Sequence, residues 1–500
     1  MVSPHFGCPR VAVMSDTVPA AIAATLTSPE LAAVVDLVAY PIEDADGQRA
    51  VMVHGQHGVV RLRAGERHEV VTGVDPVAHT DPLAFLPYES ECAEPSPENR
   101  RNAYPEPARR LFSFFADADR SPDVVVVHTP SHYFPETGGH RGEHGSLDVI
   151  QSRAPFLLSG AGVSGRGLIP EYVRVVDVAP TLLELAGVPV PNGLDGTAYP
   201  TGESRGRFVV GLLWDGAHCS DLLALASAGE LPAVASLLGD GLALTGGAVA
   251  EFPSVTLCNH TSALTGVEPG RHGILGNVFY DRARGERINA NDESTWHRSA
   301  EWLRPDVSTV FEMLTAARPE ARSVCINEAV DRGATVSTMQ LLREVAHDGP
   351  VSALLPPAEQ SPYLGESRHL ADHYFRWATQ VDDSGLNQVL QEWADPTAAP
   401  VLTWWATVVT DAGHHAGGPR SPIARDSLRD ADRRLGVFLT HLDSLGLREQ
   451  VTFLLTADHG FEKADEAVTG SWKSALADVC ERAGVTYRDE GPGFVYLNVR

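Results

Sequence analysis

Three short apolar runs constrain what this chain can fold into: 208–214 (FVVGLLW), 400–410 (PVLTWWATVVT) and 451–455 (VTFLL). None alternates apolar with polar residues, so each predicts a strand covered on both faces, as in a parallel sheet. Each is followed by an acid: Asp215-Gly216, then Asp411 with His415 beyond it, then Asp458-His459-Gly460. Similar runs at 123–128 (DVVVVH), 154–159 and 323–326 are separated by stretches of helical spacing at 222–238, 310–317 and 425–445. Alternating strands and helices predict an α/β fold, a doubly wound and mostly parallel sheet with helices on both faces. In such a sheet the C-terminal strand ends converge on one edge, where sites are built.

The remaining segments are read around that frame. Residues 20–39 have helical spacing, 50–62 predict a hairpin turning at a glycine with His54 and His57 as surface residues, and 91–107 predict a proline-rich loop. Segment 173–191 reads as a strand and then a helix capped by Asp177, with Pro180 in its first turn and a stop at Gly187 and Pro189. The composition turns to Gly, Ser, Thr and Pro from 192, and 196–207 is read as a linker. Residues 340–391 are largely helical and fall within a cap or lid expected at about 280–400.

Composition excludes several partners. The formal charge is −26, from 39 Lys and Arg against 65 Asp and Glu. That argues against nucleic acid and anionic membrane surfaces. An anionic substrate must be drawn in locally, which metal ions can do. No apolar run reaches the roughly 18 residues of a membrane span. The first residues lack a basic segment followed by an apolar one, so no signal peptide is expected and the location expected is cytoplasmic. The six cysteines are scattered without paired spacing, which suits reduced thiols.

A single acid at a strand end is an ordinary helix cap. Three together, two of them with histidine, predict a metal site. Mixed carboxylate and imidazole ligands suit zinc, and two ions about 4 Å apart would clamp the attacking and leaving oxygens of an in-line displacement. Between the first and second acids lies 251–277, EFPSVTLCNHTSALTGVEPGRHGILGN. Thr256 precedes a helix-compatible run there. Its hydroxyl would fall at a helix N-terminus, where backbone N–H groups and the helix dipole favour a phosphate.

Together, FPSVTLCNHTSALTGVEPGRHGILGN, WDG, DAGHH and TADHG resemble the nucleotide pyrophosphatase/phosphodiesterase family of the alkaline phosphatase superfamily, in that family's order. The resemblance implies an alkaline phosphatase-like fold with a single catalytic domain. It implies Thr256 as the nucleophile of a covalent phospho-enzyme, and Asp215, Asp458 and His459 as ligands of the ion that also holds the threonine oxygen. Asp411 and His415 would hold the second ion, and Asn277 a phosphoryl oxygen. His260 and His272 are read as structural. The family's last ligand is a histidine far downstream of Asp-His-Gly, where this chain has none. Instead, GEHGSLDVIQSRAPFLLSGAG and the segment after it resemble the family's C-terminal portion, so His144 matches that ligand, with His140 as fallback. A circular permutation is therefore expected: 1–195 as the family's C-terminal half, 196–207 as the joining linker and 208–500 as the N-terminal half. The alternatives are an incomplete second copy and a site closed between chains that swap halves.

The function implied is a phosphodiesterase or nucleotide pyrophosphatase-like hydrolase using two divalent ions, zinc by ligand type, on a small phosphodiester or phosphoanhydride. Asn277 in place of a positively charged group favours diesters, while Leu257, where such enzymes often carry an aromatic, speaks against nucleotides. Phosphonoacetate hydrolase-like chemistry is the rival within the class, and sulfatase chemistry a lesser one. A non-catalytic, metal-stabilised binding protein is the rival outside it.

Overall fold

The computed structural model describes residues 17–499 except 44–46, 66, 84–103, 136–137, 165, 203–204, 293, 346–354 and 365–368. Most of the proline-rich loop expected at 91–107, part of the cap, and Cys8 and Cys92 lie outside the described residues. The other four cysteines are free and buried.

The main sheet has eight strands, in spatial order Val336–Ser337, Ser323–Ile326, Leu402–Thr407, Phe208–Trp214, Val451–Thr456, Phe156–Gly160, Gly241–Leu244 and Gly167–Ile169. All run the same way except Phe156–Gly160, which is antiparallel to both neighbours. The three acid-ended runs are adjacent and buried along their whole length. Leu213 pairs with Ala406 on one side and Thr456 on the other, so the three strands end level. Gly211 has a local reason, since a Cβ there would lie 2.4 Å from the Trp404 ring. Fully buried Trp214, Trp404 and Trp405 fill this centre, and burying a large apolar side chain contributes roughly 1.5–3 kcal/mol. The helices Val178–Leu185, Val310–Ala317, His373–Glu392 and Pro422–Ser444 add to the same core.

A second sheet is antiparallel throughout, with the order Tyr487–Glu490, Phe494–Leu497, Val124–His128, Val35–Glu43, Arg49–Gly55, Gly58–Leu62 and Glu69–Gly73. This corrects the expectation of a parallel sheet at 123–128. Val125 and Val127 face Phe114, Phe252 and Leu257, while Val124 and Val126 face the helices Thr17–Leu26 and Lys473–Ala483. A strand covered on both faces is apolar throughout whichever way its neighbours run. The helix expected over 20–39 ends at Leu26, and β-branched Val35 and Val38 enter the sheet instead. The hairpin at 50–62 forms as expected, turning at Gln56-His57, but His54, expected at the surface, is partly buried with its Nε2 3.3 Å from the Tyr40 hydroxyl.

Ser323–Ile326, inside the stretch expected as cap, is a strand of the main sheet. The described part of the linker is tied down, with Thr197 N–H donating to Asp177, Tyr199 N–H to Thr181 Oγ1 and Gly202 N–H to the Gly162 carbonyl. Among the described residues no single helix is long and apolar enough to cross a membrane.

Candidate metal centre and nucleophile

The level strand ends bring the acids together. Asp215 directly follows Phe208–Trp214, and its N–H donates to the Thr407 carbonyl of the next strand. Asp458 follows Val451–Thr456, and its Oδ1 accepts from the Gly216 N–H at 2.9 Å. Asp411 was expected at a strand end and instead lies in the first turn of the helix Val409–Gly417. His415 is one helical turn on, on the same face, with its Nε2 3.6 Å from Asp411 Oδ2. His459 Nε2 lies 3.2 Å from Asp458 Oδ2 and 3.8 Å from Asp215 Oδ1.

The loop 140–146 comes from far earlier in the chain. His144 Nε2 is 3.2 Å from His415 Nε2, and its ring stacks on His459 at 3.7 Å. The other nitrogen, Nδ1, hydrogen-bonds the Ser254 carbonyl at 2.9 Å. Gly145 N–H donates to Ser254 Oγ, and that hydroxyl donates to the Ser146 carbonyl. Gly142 allows the loop to approach so closely, because a Cβ there would meet the His414 carbonyl at 2.4 Å. The His415 ring is fixed through Nδ1 on the Gly142 carbonyl, which turns its Nε2 towards the acids.

Thr256 opens the helix Thr256–Thr265 and is 8% exposed. The N-cap, Val255, gives no side-chain cap. Asn277 Oδ1 accepts from Leu257 N–H at 3.0 Å, so its NH2 group is the part left for a ligand. The same helix carries His260 four residues later, and His260 Nε2 is 3.5 Å from Asp458 Oδ2 and 3.8 Å from Asp215 Oδ2. Thr256 thus lies between Ser254, tied to His144, and His260, tied to the acids. Leu257 is wholly buried beside Phe252 and Ile274, so this position offers no surface for stacking.

The site's electrostatics call for cations. Burial and the charges of Asp458 and Asp411 push the Asp215 carboxyl well above its usual range. Asp458 is held below its range against its own burial, chiefly by His459 and His260. Burial and neighbouring imidazoles hold His144 and His415 well below the usual histidine range. Glu328 raises His260 against its burial. Asp215 Oδ1, Asp411 Oδ1, Asp458 Oδ2 and His459 Nε2 are buried without hydrogen-bond partners. Unpaired buried charge of this kind is costly. His144 with Asp411 and His459, and Asp215 with His260 and Asp458, each gather ligand atoms within 4.8 Å of one another. The residues fit metal ions.

Of the residues expected at the site, His144, Asp215, Asp411, His415, Asp458 and His459 are brought together, and the helix Thr256–Thr265, with Asn277 bonded to its first turn, adjoins them through His260. Three features were missed in the sequence: the place of His260, Tyr374, and Glu143 beside the fallback ligand His140. The His260 ring, read as structural, faces two of the acids. Tyr374 donates to Asp411 Oδ2 at 2.7 Å from a helix whose place in the sequence gives no hint of it. His140 sits with its ring 4.2 Å from His415, and Glu143 3.6 Å from His140. These two form a further group with His415 that could hold an ion. His272 is structural as expected, hydrogen-bonded to Ser262 Oγ and the Ile274 N–H.

The chain is similar to an alkaline phosphatase, PafA, of Elizabethkingia meningoseptica, at 32% identity over 22% of this chain and 20% of that one. It is similar to a bis(5'-adenosyl)-triphosphatase of Xenopus laevis, at 26% identity over 42% of this chain and 38% of that one. Among solved structures, murine ectonucleotide pyrophosphatase/phosphodiesterase 5 aligns with 52% of this chain and 59% of that one, at 16% identity and a TM-score of 0.36. The chain spans well under half the length of the curated relatives it matches. The profile of the family described as type I phosphodiesterase / nucleotide pyrophosphatase matches residues 209–500, from the strand Phe208–Trp214 onward. The chain belongs to that family.

Proposed function

We propose that the protein is a metal-dependent phosphodiesterase or nucleotide pyrophosphatase-type hydrolase acting through a covalent phosphothreonine on Thr256. The observation that carries this reading is the set of buried, unpartnered ligand atoms of Asp215, Asp411, Asp458 and His459, with the Thr256 helix reaching two of these acids through His260. Asp215, Asp458, His459 and Thr256 would hold one divalent ion, and Asp411, His415 and His144 the other, with zinc favoured by the donor set. The ions would supply the positive charge that acidifies the Thr256 hydroxyl and offsets the phosphoryl oxygens.

This chain's residues then do the rest. Thr256 Oγ attacks phosphorus in line, forming the Oγ–P bond as the bond to the leaving oxygen breaks. The NH2 group of Asn277 and the helix N–H groups donate to the phosphoryl oxygens. The leaving oxygen departs with the proton given up by the Thr256 hydroxyl; water then attacks the phosphothreonine, the Oγ–P bond breaks, and Thr256 Oγ takes a proton from that water. Two inversions give net retention at phosphorus. The neutral Asn277 suits a diester or phosphoanhydride, small enough to enter. Phosphonoacetate hydrolase-like chemistry is the second reading, and it is favoured by the burial of Leu257, which removes one stacking surface for a nucleotide base. We also propose that the site closes within one chain, as a circular permutation of the family's order, and that the protein works in the cytoplasm, which cell fractionation would test.

The test is metal analysis of the purified protein with hydrolysis of bis-p-nitrophenyl phosphate, p-nitrophenyl phosphate and phosphonoacetate. Two ions per chain, a preference for the diester and a trapped phosphothreonine are expected. Two bound ions without turnover of any ester would overturn the enzyme reading in favour of a metal-stabilised binding protein.

A further inference from the structure

Glu328 is fully buried beyond the end of the strand Ser323–Ile326, and the mechanism gives it no task. Three groups point at its carboxylate. Trp404 Nε1–H donates to Oε2 at 2.9 Å from the centre of the main sheet, Val330 N–H donates to Oε1 at 3.0 Å, and His260 Nδ1 lies 2.9 Å from Oε2. A carboxylate held on both oxygens cannot turn, and it fixes the imidazole ring in turn. The opposite nitrogen, Nε2, is aimed between Asp458 Oδ2 and Asp215 Oδ2 and has no hydrogen-bond partner.

We propose that His260, locked by Glu328 and Trp404, is the positioning residue of the Asp215–Asp458 metal site and of the nucleophile helix above it. The inference rests on the reading of that site given above. Asp215, Asp458, His459 and Thr256 already make four ligands, the usual number for zinc, so His260 stands outside the set. Asp215 Oδ1 and Asp458 Oδ2 are the oxygens turned to His459. Asp458 Oδ2 is shared with His260, at 3.5 Å from its Nε2, and Asp215 Oδ2 lies on the His260 side at 3.8 Å. Both nitrogens of His260 face carboxylate oxygens. One anchors the ring to Glu328, and the other orients the acids that grip the ion. His260 and Thr256 are four residues apart on one helix and share a face. The contacts that set the acids therefore also set the direction from which the Thr256 hydroxyl approaches.

The experiment compares the full-length wild type with His260→Ala, His260→Gln, Glu328→Gln and Trp404→Phe. Zinc affinity is read by competition with a chromogenic chelator. Bis-p-nitrophenyl phosphate kinetics are measured at saturating zinc, and unfolding is followed in the chelator-stripped form. His260→Ala should bind one of the two ions roughly 10- to 100-fold more weakly, with kcat reduced and KM little changed. His260→Gln, whose amide nitrogen reaches the place of Nε2, should recover part of that affinity. Glu328→Gln and Trp404→Phe should shift affinity in the same direction by less. Unchanged affinity for both ions in His260→Ala would overturn the proposal. So would a loss matched by an equal destabilisation of the stripped protein, or a His260→Gln variant no better than His260→Ala. A wild type that binds no zinc would instead sink the reading of the site itself.

Discussion

At the scale of residues, the proposed chemistry rests on one hydroxyl, and removing it should leave the scaffold intact. Thr256→Ala is expected to lower kcat by at least on the order of 10³-fold while ion content and unfolding midpoint stay near wild type; Thr256→Ser should keep measurable turnover. Stopped-time assays with metal analysis on the same preparations check both. A second expectation concerns histidines away from the ions. Burial pushes His54 down to about 4. Burial with neighbouring His132 pushes His128 down to about 3, and burial with the Arg120 charge does the same for His272. Unfolded, each would titrate near 6.5, so the unfolded chain takes up protons that the folded one refuses. Their contribution is complete above about pH 6.5 and is lost as the pH falls towards 4 and then 3. Each adds a slope of up to about 1.4 kcal/mol per pH unit inside its window. Urea unfolding of chelator-stripped protein from pH 7.5 to 4.5 should show this decline, and His272→Gln should flatten it by one group's share. The acids of the site were legible in the sequence because each follows a local apolar run. His260 and Tyr374 were not, because what makes them matter is a partner 68 or 37 residues away.

At the scale of elements, the helix Thr256–Thr265 is held by its own first turn and by residues from early in the chain. Asn259 Oδ1 accepts from Glu251 N–H at 2.6 Å, and its Nδ2 donates to the carbonyls of Pro253 and Val255 at 3.0 and 3.1 Å. Glu251, wholly buried, is gripped by Arg109 at 3.0 Å and Arg174 at 3.3 Å. One side chain thus fixes the approach to Thr256, and two arginines from early in the chain fix the residue it holds. Asn259→Ala leaves the buried Glu251 N–H without its acceptor, while the Pro253 and Val255 carbonyls keep only their backbone donors. It should cost about 1–3 kcal/mol and lower kcat, with ion stoichiometry unchanged; an unaltered kcat in a destabilised protein would show that the loop does not set the nucleophile. The central strands were readable because a run buried on both faces has one pattern. The direction of the run at Val124–His128 was not, since the same pattern serves an antiparallel strand packed between Phe252 on one side and Leu476 on the other.

At the scale of the whole molecule, the proposed site takes its closing ligand, His144, from before its proposed nucleophile, Thr256, and the proposed circular permutation accounts for that order. The strand Phe156–Gly160 is inserted between Val451–Thr456 and Gly241–Leu244. Phe494–Leu497 pairs with Val124–His128, and Ile22 and Leu26 of the first described helix share a core with Leu476 and Val479 of the last. Early and late segments are therefore neighbours, which is the condition for moving chain ends without disturbing a core. If the order is a circular permutation, a variant that joins Arg500 to Met1 through a short flexible linker and opens the chain within 196–207 should fold. It should bind the same number of ions and cleave the same esters. Sites closed between exchanged halves predict a different result, namely that mixing inactive His144→Ala and Thr256→Ala proteins restores activity by pairing an intact half from each. A site built within one chain predicts no rescue at any mixing ratio, with the relinked variant active at the mass of a single chain. Rescue on mixing, or a relinked protein that folds but binds no ion, would place the closing histidine in another chain.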